Sequence, residues 1–181
     1  MRLIVRATQA IVLAIIPLTL AACGLVPGYY SGADGQETDK RVWENMRDLQ
    51  TAAEHYAANH GGDKYPLAVD DAFKSYLPGG REDDKTPRPV GLINPFSGAN
   101  EWPSLGGIKS ITEVRRQSPP WLRPGEIQYT PVAGGRGYAI IGGAHDGHAL
   151  RDWDGRTLVF TNFSEEELLE QESGRDRSRR R

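Results

Sequence analysis

The stretch PGEIQYTPVAGGRGYAIIGGAHDG, residues 124–147, decides the fold. Ile127 and Tyr129 alternate with Glu126, Gln128 and Thr130, the period of two that gives a strand one apolar and one polar face. Tyr138 and Ile140 share one face of the next run, and Gly134-Gly135-Arg136-Gly137 supplies turn residues between the two. Downstream, Leu158 and Phe160 lie on one face of a third run, after the hairpin signal Asp154-Gly155. These runs predict an antiparallel meander of three to four strands. Such a sheet, with one face in water, needs an apolar cover for the other.

The cover lies upstream. Val42, Met46, Leu49, Ala53 and Tyr56 are spaced by four, three, four and three residues, which places them on one face of an α-helix. Thr38 or Asp39 can cap its start, and Gly61-Gly62 follow its end where a terminating glycine belongs. A helix over 38–60 would run roughly 33 Å at ~1.5 Å per residue, with Gln50 read as solvent-facing. A short second helix is predicted over 69–77, ended by Pro78. The stretch from Pro78 to Pro124, both included, holds eight of the twelve prolines, and the spacing of Ile108, Ile111 and Val114 fixes no element type. Long helix, irregular loop and small sheet in that order make the class α+β: a long N-terminal helix packed on a small antiparallel sheet.

A chain of 181 residues supports one domain with a real core. Its net charge of −2 is too small for binding nucleic acid by bulk electrostatics. At the N-terminus, Arg2 and Arg6 precede an apolar run, AIVLAIIPLTL (10–20). The 16 uncharged residues between Arg6 and Cys23 fall short of the ~20 that span a bilayer as a helix, so the segment reads as a signal peptide. Leu20-Ala21-Ala22-Cys23 then closely resembles the lipobox of bacterial lipoproteins. That resemblance implies diacylglyceration of the Cys23 thiol, cleavage just before it, and anchoring by two or three acyl chains at ~0.8 kcal/mol per buried CH₂. The chain's single cysteine occupies the position this chemistry requires, which leaves none for a disulfide. The expected organisation is a signal peptide over 1–22, a Gly-rich lipidated tether over 23–37, a head domain over 38–163, and a short acidic helix with a basic tail over 164–181. Ser164 and Glu167 form a capping box for that last helix. The terminal arginines read as a solvated tail, or as a contact for anionic headgroups at ~1 kcal/mol per basic residue.

Three stretches, in order, resemble the globular domain of type IV pilins and of the type II secretion major pseudopilin. They are NMRDLQTAAEHYAANHGGDKYP (45–66), INPFSGA (93–99), and the hairpin of 124–147 with its closing Gly-x-x-Asp-Gly. Pilins enter a filament through a hydrophobic helix that follows a Gly-Phe cleavage site and carries a glutamate near its start. Here a lipobox and tether stand in that place, so the resemblance implies a pilin-like head held by lipid. In the pseudopilin family the Asp of the corresponding turn helps to bind calcium with acidic and backbone oxygens a little further on. The resemblance therefore implies Asp146 as a calcium ligand, with Asp152 and Asp154 close behind, near but not on the family spacing. A plain turn remains the alternative, because Gly and Asp are also what a β-turn needs. Calcium takes six to eight oxygen ligands, so His145 and His148 would be bystanders to it. A zinc site would use those two histidines but needs ligands that the local sequence does not obviously supply.

Enzymatic chemistry finds little footing. Asp152-Trp153-Asp154-Gly155-Arg156-Thr157 resembles the nucleophile loop of haloacid-dehalogenase-type phosphatases, but too little chain follows it for the large α/β domain that completes such a site. No G-x-S-x-G, Walker-type or H-E-x-x-H pattern is present. His55 and His60 are five apart, off the i, i+4 metal spacing. The expected function is thus non-enzymatic: an exported, lipid-anchored envelope protein with a structural or interaction role linked to type IV pilus or type II secretion-type assemblies. Its expected partners are membrane lipid, through acylated Cys23, and pilins or pseudopilins. It would sit on the outer face of the cell membrane, or in the outer membrane of a two-membrane host. The alternative is an envelope lipoprotein that binds an ion or small solute.

Overall fold

A computed structural model describes residues 33–62, 64–78 and 91–170. The segments expected to be signal peptide and basic tail, Cys23 and most of the expected tether lie outside these. The long helix is α1, Ala33–Asn59, and its predicted stripe is the core: Val42, Met46, Leu49 and Ala53 are fully buried. It begins earlier than expected, inside the predicted tether, so neither Thr38 nor Asp39 is its cap. The Thr38 hydroxyl instead donates to the Gly35 carbonyl, and the Asp39 carboxylate turns to His145. The other end matches the expectation. Gly61 takes the left-handed conformation, and Gly62 N–H donates to the Ala57 carbonyl at 2.7 Å, the long bond of a Schellman cap.

The second helix, α2, is only Asp71–Lys74, shorter than the predicted 69–77. Asp70 caps it by accepting the Phe73 N–H, and Phe73 anchors it in the core. The undecided Ile108–Val114 region leads into α3, Ile111–Arg116, with Ser110 as cap.

Strands β1 (Leu92–Ile93) and β2 (Asn100–Glu101) form a separate small hairpin. The main sheet runs β3 (Ser104–Leu105), β4 (Ile127–Val132), β5 (Gly137–Gly142). Between β4 and β5 the predicted hairpin is present, in register from Ile127↔Gly142 to Val132↔Gly137. The all-antiparallel meander is corrected. β3 pairs with β4 in parallel, because the segment between them, containing α3, is long enough for the crossover that parallel strands require. The run holding Leu158 and Phe160 is not a full strand; it joins β5 through the Ile140↔Phe160 bridge.

The expectation of one wet face is also corrected. β5 is buried throughout. Tyr138 and Ile140 pack with the α1 stripe, while Ala139 and Ile141 pack with Ile111, Leu122, Val159 and Leu168. A continuous apolar run such as Ala139-Ile140-Ile141 is what a strand covered on both sides carries. Helical residues 165–170 begin with the predicted capping box: Ser164 N–H donates to Glu167 Oε2 at 2.7 Å, and Glu167 N–H to Ser164 Oγ. Hydrogen bonds from the Ser164 N–H and hydroxyl to Glu167 Oε2 hold that carboxyl below its ordinary pKa. Gly142 sets the approach of α1 to the sheet. A Cβ there would come within 2.6 Å of Val42 and 2.8 Å of Met46. Among the described residues no helix is long and apolar enough to cross a membrane.

Candidate functional site

The Gly-x-x-Asp-Gly stretch closes β5 as a turn. Gly147 N–H donates to the Ala144 carbonyl at 3.2 Å, and Ala144 N–H to the His148 carbonyl at 2.7 Å. Gly147 supplies the positive φ at its last position. Its histidines are spent on structure. The Asp39 carboxylate of α1 accepts from the His145 backbone N–H at 2.9 Å and meets ring Nδ1 at 2.7 Å, which ties the turn to the start of the long helix. The His145 ring lies so close to Gly35 that a Cβ there would come within 2.9 Å of it. His148 Nδ1 contacts the Asp146 carbonyl.

Each of the three predicted carboxylates is placed on this loop system. Asp146 Oδ1 accepts the His148 N–H at 3.0 Å, and Oδ2 accepts from Arg151 at 3.2 Å. Asp152 Oδ1 accepts the N–H groups of Asp154 and Arg156, both at 2.9 Å. That closes the hairpin that Asp154-Gly155 signals, with Arg151 and Thr157 paired across it. Asp154 itself is exposed. Among the described residues no three His, Cys, Asp or Glu side chains converge as a metal site requires. Both oxygens of Asp146 and Oδ1 of Asp152 accept from N–H groups or a guanidinium.

A second polar cluster has no motif in the sequence. The Glu54 carboxylate of α1 accepts from Tyr138 on β5 at 2.6 Å and from Tyr65 at 2.9 Å. Gln50 Nε2 donates to the Tyr138 hydroxyl at 3.1 Å, so Gln50 is a helix–sheet contact and not a bystander in solvent. The Tyr129 hydroxyl donates to the Pro66 carbonyl. Burial, then the hydrogen bond to Glu54 and its charge, pushes the Tyr65 phenol up to about 12. Tyr138 and Tyr129 are raised further, by burial first. A phenol that must stay neutral and hydrogen-bonded is a fastener, not a proton-transfer group near neutral pH. The sequence signal for this cluster was weak: a glutamate bordering the apolar stripe, with a tyrosine soon after the helix.

At the foot of β4, burial raises the Glu126 pKa, but hydrogen bonds from Gln128 and Ser104 outweigh it and hold the carboxyl below its ordinary value. Glu101 pairs with Arg123 at 2.7 Å, beside the buried Asn94 that links the β1–β2 hairpin to the Pro124 carbonyl. These contacts tie loops together. No family model matches this chain, and no curated protein or solved structure does either.

Proposed function

We propose that this chain is a lipid-anchored cell-envelope protein whose pilin-like head has a structural or interaction role in a pilus or type II secretion-type assembly. The reading is carried by one observation: Leu20-Ala21-Ala22-Cys23 follows a basic and then an apolar segment, with the chain's only cysteine at the acceptor position. Acylation there would supply two or three chains, enough for stable anchoring where one is marginal. The pilin-like part is supported by the order of elements, with a long amphipathic helix laid on a β4–β5 hairpin by its apolar stripe. The polar side chains at the turns are engaged in holding the chain together, which favours a scaffold over a catalyst.

Cells fed labelled palmitate label the protein, and Cys23→Ala abolishes the label; labelling that persists in that variant sinks the anchor. Cross-linking in the same cells captures pilins or pseudopilins while sheared filaments lack the protein. Recovery as a stoichiometric filament subunit removes the assembly reading but leaves the anchor standing.

A further inference from the structure

Trp121 is 74% exposed, although an indole is among the side chains that gain most from burial. Its backbone is not loose. Ala149 N–H donates to the Pro120 carbonyl at 2.8 Å, Leu122 N–H donates to the Gly147 carbonyl at 3.0 Å, and Leu122 itself is in the core. The exposed ring is therefore presented by a fixed frame. Trp121 bridges His148 in antiparallel fashion, and such partners send their side chains to the same side, ~4.5–5.5 Å apart at Cβ. Gly147 lies at the indole edge, where a Cβ would stand 3.3 Å from Nε1. Asp146 and Arg151 complete the rim: Asp146 Oδ2 accepts from Arg151 at 3.2 Å, and Asp146 Oδ1 is 3.7 Å from His148 Nδ1. All three rim side chains are about half-exposed.

We propose that Trp121, with Asp146, His148 and Arg151 around it, is a stacking site for a neutral pyranose ring of a glycan. One face of a pyranose is a flat array of C–H groups that packs on an aromatic ring, while its hydroxyls each donate and accept. A carboxylate, an imidazole and a guanidinium side by side answer both demands. The charges of Asp146 and Arg151 cancel locally, which suits an uncharged polyol better than a phosphate or a cation. A partner protein would call for a contiguous apolar patch, whereas the side chains that frame the Trp121 indole are polar: Asp146, His148 and Arg151. Asp146 is already fixed by the His148 N–H and by Arg151, so little side-chain freedom remains to be lost on binding. The proposal holds whether or not Cys23 is acylated.

The full chain, held in a detergent without a sugar headgroup, is titrated calorimetrically with the neutral hexasaccharides of glucose and of N-acetylglucosamine. At least one binds saturably. Trp121→Ala weakens it by about tenfold or more, equivalent to ~1.4 kcal/mol, Arg151→Gln weakens it less, and Trp121→Phe largely retains it, with unchanged melting midpoints. Absence of binding by both sugars, or Trp121→Ala binding as tightly as the natural chain, overturns the proposal. So does a photo-reactive aromatic residue at position 121 that captures only lipid or only protein in whole cells.

Discussion

Glu54 joins two tyrosines from different parts of the chain to the long helix. A hydrogen bond to a charged acceptor contributes ~1.5–3 kcal/mol, and a buried donor left without a partner costs ~1–3 kcal/mol. Glu54→Ala is therefore expected to lower the stability of the folded head by about 1–3 kcal/mol in urea titrations. Glu54→Gln should cost less, because its amide oxygen still accepts from one phenol. Equal losses would show that the hydrogen bonds are immaterial. The same cluster predicts behaviour at high pH. Tyr65 ionises at about 12 in the folded chain, above the ~10 of a free phenol, so folding favours the neutral form. That contribution is complete below pH ~10 and is lost as pH rises toward about 12. A spectrophotometric titration should show the phenolates of Tyr65, Tyr129 and Tyr138 appearing late and together with unfolding. Seven tyrosines that all titrate near the free value while the fold persists would contradict it.

Among the elements, α1 and the helical residues 165–170 cover opposite faces of β5. Leu49→Ala opens the first interface and is expected to destabilise by ~2–5 kcal/mol, as large-to-small core changes do. Gln50→Ala on the adjacent face should cost ~0.5–1.5 kcal/mol, the net worth of its hydrogen bond to Tyr138. The second interface has an internal control. Leu168 is 5% exposed and Leu169 is 57% exposed. Leu168→Ala should fall in the same ~2–5 kcal/mol range, with Leu169→Ala within about 0.5 kcal/mol of the natural chain. Equal thermal shifts from the two leucine variants would mean that the second face of the sheet is not covered.

For the whole molecule, sharing β5 between two apolar clusters makes them one cooperative unit. Melting followed by far-ultraviolet and near-ultraviolet circular dichroism should give coincident single transitions, with Leu49→Ala and Leu168→Ala each lowering that same transition. Two separated transitions would split the head in two. The sequence by itself determined several features whose partners lie within a few residues: the α1 stripe, the glycine that ends it, the β4–β5 hairpin, the Asp154-Gly155 turn and the Ser164–Glu167 capping box. Each follows from a backbone period or a short hydrogen bond, and both leave a local trace in residue order. Tertiary structure alone decided the parallel β3–β4 pair, the burial of both faces of β5, the convergence of Tyr65 and Tyr138 on Glu54, and the engagement of Asp39 with His145, 106 residues apart. No periodicity links such pairs. They meet because burying the apolar faces of β5 brings distant segments to the same surface, where buried polar groups must find partners.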